Sequence, residues 1–352
     1  MTRTFNCIAT GIGSLPISDP DEATALSLKY LPEAPIWPQL PKRGFQEFMD
    51  GQYSEALPGL KIDTIKKRFY VDSSKDLTPE LEKFFERYLE KDYSFFKISE
   101  EYAAGFYGFL RALKKGVPAN AQFLKGHITG PLTFGLSIKD ETGKDIIHND
   151  VLFDAAVKGL AMKAAWQIEL LKPFNKPVII FIDEPAMESL GSAFSAVSSE
   201  VIAEKLNEII DTIHELGGLA GIHCCGNADW PMLFNTRIDI INFDAFGYME
   251  KVLLYPGDIK KFLARGSALA WGIVPTGAFT GKETADGLIA RLEAGLQRLE
   301  KEGMDRKTIL RQSLLTPACG MGSLTPEKAE AILKLLREVS DRMQKTNKAA
   351  RS

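Results

Sequence analysis

The chain has 352 residues, of which 45% are hydrophobic and 25% charged, and its formal net charge is −3 at pH 7. This composition is that of a globular protein and excludes intrinsic disorder, collagen and coiled coils. Because there is no excess of positive charge, nucleic acid is not an expected partner. No apolar run reaches the roughly 18 residues that a membrane span requires. We therefore expect a cytoplasmic protein with no membrane partner.

Short apolar runs alternate with amphipathic helical patterns, most clearly after residue 150. Helices are predicted over residues 78–90, 99–116, 151–171, 200–216, 283–302 and 325–344. Strands are predicted over residues 5–14, 59–71, 121–131, 178–185, 219–225, 238–246, 268–275 and 309–320, of which 59–71 is the most weakly marked. This alternation, without a glycine-rich dinucleotide turn, predicts an α/β fold of the (β/α)8 TIM-barrel type.

We expect a single catalytic barrel domain over residues 1–352. Residues 17–60 are rich in Pro and Gly and are predicted to form an N-terminal excursion of loops and helix over the barrel, and residues 345–352 a polar tail. The four cysteines are too few and too unevenly spaced for a disulfide framework, so they are expected to be reduced.

Two of those cysteines follow a histidine directly. Successive side chains of a strand point to opposite faces, so His223 and Cys225 share a face and Cys224 points away from it. Imidazole and thiolate in this arrangement are half of a tetrahedral Zn²⁺ site. Cys319 ends the last predicted strand, and the strand ends of a barrel meet on one rim, so it is the predicted third ligand. The alternative is that these are buried side chains of the core.

Two carboxylates and one turn complete the predicted site. Asp244 shares a strand face with Asn242 and is predicted either to ligate the metal or to support its ligands. Asp183 ends a strand and is predicted to accept hydrogen bonds from a substrate ammonium, the alternative being a helix N-cap. The turn at residues 11–16 offers backbone N–H groups and the Ser14 hydroxyl to an anion. Two thiolate ligands favour alkylation of a metal-bound substrate thiol over hydrolysis.

Five segments resemble the catalytic barrel of cobalamin-independent methionine synthase, within the uroporphyrinogen-decarboxylase-like superfamily. They are GIGSLP (11–16), TGP (129–131), FIDEPAM (181–187), IHCCGN (222–227) and TPACGMGSLTPEKAEAIL (316–333), and they span most of the chain. The resemblance implies that His223, Cys225 and Cys319 bind zinc, with Asp244 where the family has a glutamate ligand. It also implies a catalytic, substrate-binding Asp183 for the amino group of homocysteine, and a carboxylate site at Ile12, Gly13 and Ser14.

The resemblance implies a methyltransferase that methylates the thiol of homocysteine to give methionine. The family's histidine after the seventh strand is missing, which favours a methylcorrinoid, free or on a corrinoid protein, over methyltetrahydrofolate as donor. Three alternatives stay open: a methyltransferase acting on coenzyme M, a metal-free lyase similar to uroporphyrinogen decarboxylase, and a non-catalytic protein that binds zinc and a thiol.

Overall fold

The computed structural model describes residues 4–190 and 197–349. Within them the strands are β1 (Ile8–Ala9), β2 (Leu60–Asp63), β3 (Arg68–Val71), β4 (Leu124–Thr129), β5 (Lys139–Asp140), β6 (Val178–Asp183), β7 (Leu219–Cys224), β8 (Ile240–Phe243), β9 (Ala268–Val274) and β10 (Ser313–Pro317).

The helices are α1 (Pro20–Tyr30), α2 (Thr78–Leu89), α3 (Ala104–Lys115), α4 (Pro131–Ser137), α5 (Asp150–Leu171), α6 (Ser199–Glu215), α7 (Trp230–Asn235), α8 (Met249–Val252), α9 (Pro256–Ala264), α10 (Ala285–Lys301), α11 (Arg306–Arg311) and α12 (Pro326–Ala349). Short 3-10 helices lie at Phe45–Glu47, Ile146–His148, Lys172–Phe174 and Pro185–Ser189. None of the described helices has both the length and the apolar character needed to cross a bilayer.

Seven of the described strands form one curled parallel sheet, in the order β1-β10-β9-β8-β7-β6-β4. Strands β6 to β9 are buried on both faces because helices cover the outside and the sheet curls around its own interior. The expected α/β class with a parallel sheet is therefore present, with seven strands in the sheet where eight were expected.

The segment 33–40, which begins in a turn and is paired as an extended chain at Ile36 and Gln39, lies between the two edge strands of this sheet. Gln39 N donates to Gly13 O at 3.1 Å on one side, and Trp37 N donates to Lys125 O at 3.3 Å on the other. Parallel bridges join the segment to residues just beyond β1 and within β4. Backbone groups at both sheet edges are thus paired with the same piece of chain, as buried backbone must be.

The structure corrects three expectations about the chain outside the main sheet. Residues 59–71 form the hairpin β2–β3 in a separate three-stranded sheet. Residues 17–60 contain helix α1, as a loop and helical excursion would, but their segment 33–40 pairs with both edges of the main sheet instead of only lying over it. Residues 345–349 continue α12 instead of forming a tail, and residues 350–352 lie outside the described residues.

The interior of the curled sheet has an apolar and a polar half. Near the amino ends of the strands, buried side chains including Phe123, Ile179, Phe181, Leu219, Ile240 and Leu314 pack together. Farther along the same strands the buried inward side chains include His127, Thr129, Asn242, Thr316 and His223. The carboxyl ends of the strands therefore present polar groups to one region of the molecule.

Candidate metal-binding site

Three side chains predicted to bind a metal lie together at the carboxyl ends of β7 and β10. One ligand atom each from His223, Cys225 and Cys319 lies within 4.8 Å of the other two. Cys224 points the other way and is buried in the apolar core. The alternation of the strand thus separates the two neighbouring thiols. Asp244 is not part of this group of described residues.

A buried hydrogen-bond chain fixes the orientation of the His223 ring. Asn242 Nδ2 donates to Ala270 O and to Thr316 Oγ1, both at 2.8 Å. The amide oxygen of Asn242 therefore faces His223 Nδ1, at 2.5 Å, and this nitrogen carries the proton. His223 Nε2 is left as the ring nitrogen with a free lone pair, which is how a second residue typically prepares a metal ligand.

The charges of the three donors are linked. Contacts with Cys319 and His223 lower the pKa of Cys225 to about 4. The same contact with Cys225 raises the pKa of Cys319. Burial, the largest single influence, acts to lower the pKa of His223, but the contacts with Cys225, Asp183 and Asn242 together outweigh it, and the net shift is upward. Of the two thiols, Cys225 is therefore the one favoured as a thiolate, and Cys319 keeps its proton.

These residues fit a zinc ion. Bond lengths of about 2.3 Å to sulfur and 2.1 Å to nitrogen place tetrahedral donors roughly 3.5–3.8 Å apart, so movements of about 1 Å complete the geometry. His223 Nε2 is buried and has no hydrogen-bond partner among the described residues. A metal would satisfy this nitrogen and replace the protons that the sulfurs share.

Two acidic side chains predicted for the site differ in their surroundings. Asp183 Oδ1 is buried without a hydrogen-bond partner in the described structure, and burial raises the pKa of Asp183 to about 6. Asp183 caps no helix, because the cap of the following 3-10 helix is Glu184. The Asp244 carboxylate accepts a hydrogen bond from Gly247 N at 2.7 Å. Asp183 thus faces the donor group, whereas Asp244 holds its own turn.

Two cavities open beside the metal donors. The inner cavity, of about 150 Å³, is lined by Ile12, Ser14, Gln39, Met49, Asp183, Pro185, His223, Cys225, Cys319 and Gly320. The outer cavity, of about 530 Å³, is lined by Ser14, Gln39, Pro41, Lys42, Glu47, Phe48, Met49, Cys319, Gly320, Gly322 and Ser323. Ser14, Gln39, Met49, Cys319 and Gly320 line both, so the two spaces adjoin.

The turn at residues 11–16 is held by contacts inside the protein, and its role in binding a substrate carboxylate stays a prediction. The carbonyl of Ile12 accepts from Lys125 Nζ, and that of Gly13 accepts from Gln39 N. A Cβ on Gly13 would lie 3.0–3.2 Å from the His127 ring, so the turn requires glycine there. Ser14 Oγ accepts from Gly322 N, which leaves its hydrogen free for the cavities that it lines.

Sequence reasoning missed Gln39, Met49, Lys125 and His127. Gln39 and Met49 come from the Pro-rich stretch, where the residues around them show no β-branched alternation that would mark an extended segment. Lys125 is fully buried inside the sheet, with Nζ 4.0 Å from the centre of the Phe181 ring. A Lys–Gly–His sequence within a predicted strand was the signal that this strand has a polar inner face.

No family model matches the chain and no curated protein matches it. Among solved structures, a 3-keto-D-glucoside 4-epimerase from E. coli is similar at 11% identity, with a TM-score of 0.38, over 67% of this chain and 85% of that one. A GH113 beta-mannanase from Alicyclobacillus acidocaldarius is similar at 11% identity, with a TM-score of 0.39, over 69% of this chain and 78% of that one. The resemblance to the methionine synthase family stays a prediction.

These comparisons correct the predicted function. Zinc-dependent methyl transfer to the thiol of homocysteine is contradicted, since the similar structures are a sugar epimerase and a mannanase. The methylcorrinoid donor and its carrier protein, expected only as parts of that reaction, are not carried further. The geometry of the site itself consists of three metal donors beside a buried carboxylate and two cavities.

Proposed function

We propose that this protein is a zinc-dependent enzyme that carries out proton-transfer chemistry on a small polar substrate. His223, Cys225 and Cys319 would hold one Zn²⁺, with its remaining position open to the inner cavity. The observation that carries this proposal is the meeting of three soft and borderline donors within 4.8 Å, in a cavity that Asp183 also lines. Catalytic zinc sites typically combine three protein ligands with one open position.

The bound ion would supply Lewis-acid stabilisation of negative charge on the atom that it binds. Asp183 would accept or donate the proton. Burial raises the pKa of this carboxyl to about 6, near the range where a general acid or base is most effective, and a bound cation would lower it again. Ser14 offers its hydroxyl hydrogen to the substrate.

The proposal includes a closed (β/α)8 barrel. Residues 33–40 would act as the eighth strand, because they exchange backbone hydrogen bonds with the chain at both edges of the seven-stranded sheet. Closure supports the function because every strand end then contributes to a single rim, where barrel enzymes have their active sites. It also supports one catalytic domain over the whole chain.

The test begins with metal content. The protein purified without chelators should contain one zinc per chain by mass spectrometry, and His223→Ala, Cys225→Ala and Cys319→Ala should each reduce zinc to a small fraction of that value. Cys224→Ala is the matched control, since it removes a neighbouring thiol that faces the core, and it should keep full zinc. Full zinc in all three ligand variants would contradict the proposed site.

The open position is tested with cobalt. Co²⁺ in place of zinc should give the visible absorption of a tetrahedral ion with two thiolate ligands, and acetohydroxamate should shift those bands by occupying the open position. The Asp183→Asn variant should still bind the metal and the hydroxamate. A cobalt spectrum that does not respond to acetohydroxamate would indicate a closed structural metal and would contradict an enzymatic role.

A further inference from the structure

Gln39 lies where the inner and outer cavities meet, and its side chain is 8% exposed. It comes from the segment 33–40, whose backbone is held by Gly13 and Leu15. Gln39 is one of the five residues that line both cavities, so a ligand that extends from the metal donors into the outer cavity passes through the space that this side chain lines. The orientation of its amide therefore decides which chemical group of the ligand can bind there.

A chain of buried amides fixes that orientation. The carbonyl oxygen of Tyr102 can only accept, so the Gln52 amide group that lies 2.7 Å from it must be Nε2. The Oε1 of Gln52 then faces Gln39, and it accepts from Gln39 Nε2 at 2.8 Å. Gln52 is fully buried, which prevents water from substituting in this chain. Gln39 cannot turn its amide over without leaving Gln52 Oε1 unpaired.

The result is an acceptor at the junction of the cavities. No hydrogen bond from the described part of the chain reaches Gln39 Oε1, although Nε2 of the same amide is paired. The other acceptor of the inner cavity, Asp183 Oδ1, is also without a partner among the described residues. Two free acceptors in one small space require a ligand with hydrogen-bond donors. An ether or carbonyl oxygen next to either acceptor would leave that acceptor unsatisfied.

We infer that Gln39 is a specificity-determining residue that accepts a hydrogen bond from the ligand. The ligand carries an O–H or N–H group at the junction of the two cavities, as a hydroxylated or amino-substituted small molecule does. This inference rests on the proposed function, since the ligand is anchored at the metal. Gln52 acts as a positioning residue, because it touches no ligand but holds the Gln39 amide in one orientation.

The test uses three hydroxamates that anchor on the metal and differ in one arm. Glycolohydroxamate carries a hydroxyl, methoxyacetohydroxamate carries an ether oxygen without a hydrogen, and propionohydroxamate carries neither. Dissociation constants are measured by calorimetry on the zinc-loaded protein. The hydroxyl probe should bind about tenfold more tightly than the ether probe, the factor that one buried hydrogen bond and one avoided unpaired acceptor support.

Three variants decide which residue causes this preference. Gln39→Met should bring the ratio of the two affinities close to one while propionohydroxamate binds as before. Gln52→Met should lower the ratio as well, because the Gln39 amide is then free to turn over. Gln312→Met is the matched control, since it removes a buried glutamine that donates to Leu263 O and Ser267 O away from the two cavities. This control should keep the ratio.

Two results would overturn the inference. A ratio near one in the unmodified protein would mean that no acceptor selects the hydroxyl. A ratio that survives Gln39→Met but disappears in Asp183→Asn would assign the selection to Asp183. A different failure, in which none of the three hydroxamates binds the zinc-loaded protein, would contradict the proposed open metal position itself.

Discussion

The two halves of the sheet interior are built from the same strands, but the apolar half stabilises the fold and the polar half carries the site. In β6, Ile179 and Phe181 belong to the apolar half, whereas Asp183 two residues later faces the metal donors. In β7, Leu219 packs in the apolar half and His223 lies at the site. The comparison teaches that a single strand can supply both the stability and the chemistry, with about two residues between them.

The difference has a physical reason. Apolar burial stabilises the amino half whatever the detailed partners are, because dispersion and the hydrophobic effect have little directionality. Polar groups in the carboxyl half must each find a partner or a ligand, so their positions are set by specific bonds such as those of Asn242. We therefore expect substitutions in the two halves to change different measurements.

The largest expected effect is in the apolar half. Phe181→Ala should lower the free energy of unfolding by about 3–5 kcal/mol, because it removes a fully buried ring and leaves a cavity. Urea denaturation measures this loss. Zinc content per folded chain should not change, since Phe181 is not a donor. A variant that unfolds normally but loses zinc would show that the two halves are not separable.

In the polar half, Asn242→Leu should leave the fold largely intact and weaken zinc binding. Without the amide oxygen, His223 Nδ1 loses the acceptor that fixes its proton. Residues that hydrogen-bond to a metal ligand in this way typically contribute 10- to 100-fold to metal affinity. Competition against a chromogenic chelator measures the affinity. Asn235→Leu, at the end of α7, is the control and should bind zinc normally. Equal affinity in both variants would contradict the role of Asn242.

The boundary between the halves is tested at Gly13. A methyl group there would press on the His127 ring, which is stacked against Trp37 with centroids 3.9 Å apart and cannot move away. Gly13→Ala should therefore lower the free energy of unfolding by about 2 kcal/mol. Gly257→Ala is the control, because nothing lies within 4 Å of the added carbon and α9 favours alanine. If both variants unfold alike, the Gly13 turn has room that the structure does not indicate.

The smallest effect concerns pH. Burial raises the pKa of Glu184 from 4.5 to about 7, although Thr133 donates to it. The folded state then binds more protons than the unfolded state between these values, so the free energy of unfolding should fall as pH rises from 5 to 7, by about 1–2 kcal/mol for this group. Glu184→Gln should reduce that slope without abolishing it, since Asp183 and Glu47 also have raised pKa values. Denaturation at both pH values measures the slope; an unchanged slope would contradict the assignment to Glu184.

Much of the fold could be predicted because its signals are local. The run at residues 178–185 contains β6, and the patterns at 151–171 and 200–216 match α5 and α6 to within one residue at each end. The pairing of residues 33–40 could not be predicted because it depends on contacts with β4 and the turn at 11–16, not on the propensities of these residues. The prediction that residues 59–71 form a barrel strand was wrong for a different reason. Their local pattern does indicate strands, but it does not determine which sheet the hairpin β2–β3 joins.

By itself the sequence determined which donors are available and which of them share a face, because the alternation of a strand is a local property. It placed His223 and Cys225 together and turned Cys224 away. Only the tertiary structure decided that Asn242 orients the imidazole, that Asp244 serves its own turn, and that Gln39 presents an oxygen to the cavities. These outcomes depend on hydrogen bonds between residues far apart in the chain, and no local pattern encodes them.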